Sequence, residues 1–195
     1  MQNKSQSISK LLTKLQETTF INEVFNISSV DEIATISGFR LGRTQRVDVP
    51  QDEINAALGQ VVYLLCVQAH HLGYVFDSHF LHACGAFSKI STVENPTVKY
   101  ELFLPSSEDR FNKALQMLLF TLQRFLQNHV IQYRRLLEDK KEVQLYPIEG
   151  DKINKSSIKY SGDNLEQWTR ACKCLLTQLQ WITYIIKLKD DFEQR

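Results

Sequence analysis

The sequence repeats one helix pattern three times, and each copy lies 57 residues after the one before it. Apolar residues fall at i, i+3, i+4, i+7, i+8 and i+11, which places them on one face of an α-helix. All eighteen positions are apolar: Ile54, Ala57, Leu58, Val61, Val62 and Leu65; Phe111, Ala114, Leu115, Leu118, Leu119 and Leu122; Trp168, Ala171, Cys172, Leu175, Leu176 and Leu179. A self-similar unit of this length predicts a three-unit domain.

The alanine recurs at the same place in every copy, which predicts a close contact of helix against sheet or of helix against helix. The residues that favour a helix start recur at the same spacing, each followed by acids suited to a first helical turn. These starts are Pro50, Ser107 and Asn164. The stripe of the last helix is predicted to continue through Trp181, Ile182, Ile185 and Ile186.

Strand-like segments precede each helix and are separated by turn residues. They cover residues 25–27, 33–36 and 39–41, then 74–81, 86–93 and 98–104, then 143–148 and 157–161. They align at the offset of 57 less well than the helices do. The repeat is therefore read directly for the helices and inferred for the sheets. The predicted fold is a single α+β domain over residues 19–195, with units at about 20–73, 74–141 and 142–195.

The first eighteen residues form a separate short segment. Ile8, Leu11, Leu12 and Leu15 make a helical stripe of about two turns, too short for a self-sufficient coiled coil. Residues 1–18 are predicted to be the stump of a longer coiled coil or a small capping helix. Residues 134–142 are predicted to be a solvated, charged connector.

Composition sets outer limits on function. With 195 residues, of which 43% are hydrophobic, the chain can bury one core. The net charge of +1 argues against nucleic-acid binding. The four cysteines show no secreted framework, which favours a reduced intracellular setting. The longest apolar stretch, Val61 to Val67, is far shorter than the roughly 20 residues of a membrane span, so any membrane contact is expected to be peripheral.

The usual catalytic motifs are absent, including the phosphate-binding glycine loops, the nucleophile elbow and the zincin helix. We therefore expect neither an enzyme nor a bound cofactor. One group of possible metal ligands is present: His70, His71, His79, His82 and Cys84. Its spacing matches no common zinc site. Cys172 and Cys174 lie two apart on a helix and point away from each other. No metal site is predicted.

Phe103 leaves two alternatives open. It precedes the turn at Pro105, and an aromatic side chain at a loop tip can enter a membrane interface. Strand aromatics more often pack inward, which is the alternative reading.

Three stretches resemble the Beclin family, the autophagy-related six proteins. The first runs from Thr35 to Arg43 (TISGFRLGR) and continues with Glu53 to Gln60 (EINAALGQ). Gly85 to Ile90 (GAFSKI) is similar to a middle-unit segment of fungal members, and Gln167 to Trp181 is similar to their final helix. The residues that carry the resemblance are Gly38, Leu41, Gly42, Arg43, Glu53, Asn55, Ala57, Gly59, Gln60, Trp168, Thr169 and Trp181.

The resemblance covers about residues 20–186 and implies the family's C-terminal β-α repeated, autophagy-specific domain. This fold has three sheet-helix units about a pseudo-threefold axis. The implied role is a non-catalytic membrane adaptor in the class III phosphatidylinositol 3-kinase complex, acting in autophagy and in vacuolar or endosomal sorting. The implied partners are the lipid kinase and its regulatory subunits. The implied location is cytoplasmic, peripheral on pre-autophagosomal, endosomal or vacuolar membranes.

The chain departs from the family pattern in two places. Animal members carry three aromatics before the second helix to touch lipid, whereas here Pro105 to Arg110 is polar and partly acidic. Leu102, Phe103 and Leu104 are the nearby candidates for membrane contact. The family's long coiled coil is missing apart from residues 1–18, so the chain is either an excised domain or a shortened paralogue. The alternative function is a protein-docking module within the complex, without direct lipid contact.

Overall fold

A computed structural model describes Ile21, residues 23–137 and residues 145–193, with the backbone alone for 134–137. The predicted helical segment at residues 1–18 lies outside this part of the chain. Part of the predicted connector, residues 138–142, lies outside it too.

Three helices and three small sheets make up the described chain. The helices are α1 (Gln51–His71), α2 (Glu108–Asn128) and α3 (Leu165–Glu193), and a 3-10 helix follows α2 over Val130–Leu137. The strands are β1 (Ile27–Val30), β2 (Ile33–Ile36), β3 (Phe39–Arg40), β4 (His79–His82), β5 (Lys89–Thr92), β6 (Lys99–Glu101), β7 (Ile148–Glu149), β8 (Lys152–Ile153) and β9 (Ser156–Ser157). Each sheet is antiparallel and keeps sequence order, β1-β2-β3, β4-β5-β6 and β7-β8-β9.

Each sheet precedes one helix in the chain, so the architecture is the single α+β domain predicted, and a threefold repeat is compatible with it. The predicted stripes are confirmed, since all eighteen of their side chains are buried. They join the inward residues of the sheets in one continuous core. Burial of apolar surface on this scale is the main stabilising contribution to such a fold.

The last helix differs from its predicted stripe at one position. Ile182, Ile185 and Ile186 are buried as predicted. Trp181 is only partly buried and packs edge-to-face against Tyr184, with ring centroids 6.0 Å apart. Trp181 lies at the edge of the stripe, where a side chain this large keeps part of its surface in water.

The second sheet explains why the strands do not follow the spacing of the helices. In the first and third sheets two-residue turns join the strands, and both residues of the turns at Asp31-Glu32 and Asn154-Lys155 have positive φ, as type I′ hairpins require. In the second sheet, residues 83–88 and 93–98 form much longer connections. The added residues shift the strands relative to the helices.

Several predicted strands are wrong in extent. Of the predicted segment 74–81 only residues 79–81 belong to a strand, and of 86–93 only residues 89–92 do, because β4 and β5 cover four residues each. The third sheet has three strands where two were predicted, and β9 ends at Ser157, where a strand was predicted to begin. Strands of two residues are too short to show an alternating pattern. No helix within residues 23–137 or 145–193 is long and apolar enough to cross a membrane.

Candidate functional site

Asn55 joins the first unit to the second. Its side-chain Nδ2 donates to the carbonyl of Leu104 at 2.6 Å, and its Oδ1 accepts from the amide of Leu104 at 2.7 Å. Asn55 is buried on α1, and Leu104 lies just before Pro105 at the start of the second helix. The two hydrogen bonds satisfy both backbone polar groups of one buried residue.

The same reciprocal bonding occurs at the two other junctions. Asn112 on α2 donates to the carbonyl of Tyr160 at 2.9 Å and accepts from its amide at 2.6 Å. Thr169 on α3 donates to the carbonyl of Arg43 at 2.6 Å and accepts from its amide at 2.9 Å. The three side chains lie 57 residues apart. A helix side chain of unit one therefore binds the backbone of unit two, one of unit two binds unit three, and one of unit three binds unit one.

Close packing accompanies the junction at Thr169. Gly42 has a φ of +148°, and a Cβ built on it would lie 2.6 Å from Cγ2 of Thr169. Leu41 beside it is fully buried. Arg43 donates through Nε to the carbonyl of Val49 at 3.1 Å and pairs with Asp48 at 3.0 Å, which holds the segment that leads into α1. Only glycine meets the backbone and space requirements at position 42.

The other residues of α1 that carry the family resemblance, which we call signature residues, contact the first sheet or the second unit. Glu53 accepts from Nε and Nη2 of Arg40 at 2.8 Å each and from the Arg40 amide at 2.9 Å. The hydrogen bonds from Arg40 hold the pKa of Glu53 below its usual range. Oε1 of Gln60 accepts from Ser37 at 3.4 Å, beside the turn at Gly38, where φ is +83°. Ala57 is fully buried.

Gly59 brings the connection between β4 and β5 onto α1. A Cβ at this position would lie 2.2 Å from the carbonyl oxygen of Gly85. On α3, Trp168 is fully buried and packs edge-to-face on Tyr160, with centroids 5.0 Å apart. The signature residues therefore lie mainly at contacts within and between units.

The predicted membrane-contact residues differ in exposure. Leu102 and Leu104 are buried, at 0% and 6% exposed. Phe103 between them is partly exposed. Its ring meets the ring of Phe87 edge-to-face at 5.4 Å, and the Lys89 ammonium lies 5.9 Å from its centroid. We call Phe87, Lys89 and Phe103 the aromatic tip.

The sequence argument missed Phe87, which is 66% exposed in the connection between β4 and β5. Gly85, two residues before Phe87, has a φ of +56° and marks a tight turn. This turn in an aromatic-containing loop was the available signal.

The polar segment from Pro105 to Arg110 leads into the second helix. Ser107 is the N-cap of α2 and accepts from the amide of Arg110 at 3.4 Å. Arg110 pairs with Glu101 of β6 at 2.8 Å and lies over the ring of Tyr100. The segment is thereby held against the second sheet.

The histidines considered as metal ligands have separate partners. His71 pairs with Asp190 at 3.0 Å, His79 contacts the Thr121 hydroxyl at 3.0 Å, and His82 contacts the Ser91 hydroxyl at 2.9 Å. Burial lowers the pKa of His79 and of His82, and nearby lysines act in the same direction. Across the described residues, no group of three or more histidine, cysteine or acidic side chains is placed to hold a metal.

Burial determines the reactivity of three of the four cysteine thiols. Burial raises the pKa of Cys66, Cys172 and Cys174, which keeps these thiols protonated and poorly nucleophilic. Cys172 is fully buried in the stripe of α3. All four cysteines are free thiols.

Three sheet-helix units joined in a ring define a three-unit α+β repeat domain. Residues 15–188 match the Apg6 BARA domain family, and the chain belongs to this family. It is 34% identical over 179 residues to a Beclin-1-like protein of Arabidopsis thaliana, which covers 89% of this chain and 34% of that protein.

Two other relatives agree. Beclin-1 of Xenopus tropicalis is 31% identical over 182 residues, covering 87% of this chain and 40% of that protein. Vacuolar protein sorting-associated protein 30 of Kluyveromyces marxianus is 33% identical over 186 residues, covering 88% and 39%. The chain thus spans about two fifths or less of the length of these relatives.

Proposed function

We propose that the chain acts as a non-catalytic membrane adaptor in a class III phosphatidylinositol 3-kinase complex, in autophagy and vacuolar or endosomal sorting. Family membership supports the setting, since its relatives include Beclin-1 and a vacuolar protein sorting-associated protein. The partners are the lipid kinase and its regulatory subunits, and the location is the cytoplasmic face of endomembranes.

The aromatic tip is the observation that carries the membrane part of the proposal. The exposed ring of Phe87 and the partly exposed ring of Phe103 lie in contact, and the Lys89 ammonium lies near the Phe103 ring. Aromatic rings are favoured at the interface between lipid headgroups and acyl chains, while an adjacent cation faces anionic headgroups. Each buried phenylalanine side chain contributes about 1.5–3 kcal/mol, so two of them give a contact that is peripheral and reversible.

Vesicle flotation tests this contact. Vesicles of phosphatidylcholine and phosphatidylserine are expected to carry the wild-type chain, and Phe87→Asp and Phe103→Asp are each expected to reduce flotation about tenfold or more. Phe192→Asp is the matched control, because Phe192 is 68% exposed and Phe87 is 66% exposed. Unchanged flotation in both tip variants, or an equal loss in the control, would contradict the role of the tip.

The second candidate is a protein-docking module without lipid contact. The structure of Pro105 to Arg110 favours it, because this segment caps α2 and pairs with β6. Capture of the tagged chain from its native cells separates the two functions. Recovery of the lipid kinase with the Phe87→Asp, Phe103→Asp double variant, together with no flotation of the wild type, would favour docking. Loss of the lipid kinase from every capture would overturn both.

A further inference from the structure

The third unit contains an open basic cavity that the proposed function does not use. The cavity has a volume of about 440 Å³, within the range of about 300–1,000 Å³ typical of ligand sites. It lies between the β8–β9 turn and the first turns of α3. Its lining is Asn154, Lys155, Ser156, Gln167, Arg170, Lys173 and Cys174, which we call the basic cup.

The cup is positively charged and uncompensated. Lys155, Arg170 and Lys173 are exposed, and within the described chain no carboxylate lies within ion-pair distance of them. Arg170 and Lys173 are three residues apart on α3 and so share one face of the helix. Lys155 approaches from the turn, where its φ is +67°. Three cations thus surround one concave space that contains no acid.

The internal repeat shows how the third unit differs from the other two at this place. Gln167 occupies the helix position that Glu53 and Arg110 hold in the other units, at the spacing of 57 residues. Glu53 pairs with Arg40 of β3, and Arg110 pairs with Glu101 of β6, each at 2.8 Å. Gln167 is exposed and cannot form an ion pair. The salt bridge that covers this position in the first and second units is therefore missing in the third unit, and the position is open.

From this arrangement we propose that the basic cup binds a multiply phosphorylated ligand of the inositol phosphate class. Three separated cations match more than one phosphate group, and the Arg170 guanidinium can hold one of them through two bonds. Asn154, Ser156 and Gln167 supply donors and acceptors for ring hydroxyls. The lining has no aromatic side chain for a nucleotide base to stack on. The ligand is either a soluble inositol phosphate or a lipid headgroup of the same chemistry.

Calorimetric titration with inositol hexakisphosphate tests the chemistry. The wild-type chain is expected to bind, and each of Lys155→Gln, Arg170→Gln and Lys173→Gln is expected to weaken binding about tenfold. Arg170→Lys keeps the charge but loses the two-bond geometry of the guanidinium, so its affinity is expected to lie between those of the wild type and Arg170→Gln. The control is the triple variant Arg46→Gln, Lys113→Gln, Lys187→Gln, which removes three exposed cations outside the cup and is expected to bind like wild type.

Flotation with phosphatidylcholine vesicles, with and without phosphatidylinositol bisphosphate, identifies the source of the ligand. Flotation that needs both the bisphosphate lipid and the cup cations assigns the site to a membrane headgroup, and binding of the soluble probe alone assigns it to a free inositol phosphate. Weakening of the control triple variant equal to that of the single cup variants, or no binding of either probe, would overturn the proposal. Phe87→Asp is expected to leave titration with the soluble probe unchanged, so failure of the aromatic tip and failure of the cup are distinguishable.

Discussion

Asn55 on the first helix holds the backbone of Leu104 in the second unit by donating to its carbonyl and accepting from its amide. Asn112 and Thr169 repeat this bonding on Tyr160 and Arg43. Each unit therefore binds one neighbour through a helix side chain and the other neighbour through its own backbone. Because the ring is closed, loss of one junction loosens two units, and we expect the domain to unfold cooperatively.

The Asn55→Asp variant tests the importance of a junction. The substitution keeps the size of the side chain but places a carboxylate oxygen against the Leu104 carbonyl, where an amide donated. Loss of one buried hydrogen bond, together with a buried charge facing a carbonyl oxygen, is expected to lower the free energy of unfolding by about 3 kcal/mol or more. Urea denaturation followed by circular dichroism measures it.

Asn112→Asp is the matched comparison, since Asn112 makes the same bonds but is only half-buried. Water reaches this site, so the cost is expected to be smaller, about 1–2 kcal/mol. If Asn55→Asp lowers the free energy of unfolding no more than Asn112→Asp does, the buried junction does not contribute more to stability than the half-buried one.

Gly59→Ala is expected to destabilise the protein although alanine favours helices. The added Cβ would lie 2.2 Å from the Gly85 carbonyl oxygen, so α1 and the β4–β5 connection must separate. Overpacking of this kind costs about 1–3 kcal/mol, after a gain in helix propensity of up to about 1 kcal/mol. Thermal unfolding measures the change in Tm.

Gly162→Ala is the comparison variant, and unlike Gly59→Ala it is not expected to destabilise the protein. Nothing lies within 4 Å of a Cβ built on Gly162, so the change is expected to be neutral or to stabilise by up to about 1 kcal/mol through the unfolded state. If both alanine variants shift Tm in the same direction by the same amount, close approach at Gly59 is not the cause.

The helices were predictable from the sequence because each is long enough to show its period many times. Ile54, Phe111 and Trp168 begin stripes that repeat over three turns, and all three are buried. The alanine at the second stripe position is buried in every unit as well, as its small size implied. A pattern sustained over this length depends little on local detail.

The strands and the surface were less predictable. A strand such as β7 or β9 has two residues, too few to alternate. Asn112 is a single polar residue, and only its spacing from Asn55 marks its role as a junction. Contact between Phe87 and Phe103 depends on how the β4–β5 connection meets the segment between β6 and α2, which neither segment encodes alone.

Exchange of charge between Arg40 and Glu53 is expected to be tolerated better than either single change. The second unit already has the reversed arrangement, with the acid Glu101 on the strand and Arg110 on the helix. Arg40→Glu and Glu53→Arg are each expected to destabilise, whereas the double variant recovers part of the summed loss. Recovery is partial, because Glu53 also accepts from the Arg40 amide. Strict additivity in a double-mutant cycle based on urea unfolding would show that the pair is not coupled.

The free energy of unfolding is expected to decrease as the pH is lowered, because His79 is harder to protonate in the folded protein than in the unfolded chain. This side chain is 8% exposed, its Nδ1 lies 3.0 Å from the Thr121 hydroxyl, and burial lowers its pKa. As pH falls below about 6.5, the histidine of the unfolded chain takes up a proton before the folded one does. Folding stability is therefore lost from about pH 6.5 down to the lowered pKa of the folded state, with a slope of at most about 1.4 kcal/mol per pH unit.

Urea unfolding over about pH 5–8 measures this slope. His79→Gln is expected to reduce it, while some slope remains because the pKa of His82 is lowered in the same direction. His70→Gln is the comparison variant, since His70 is exposed at the end of α1. A slope in His79→Gln equal to that of the wild type would mean that protonation of other groups governs acid sensitivity. A reduced slope would identify the buried contact between β4 and α2 as the pH-sensitive element of the second unit.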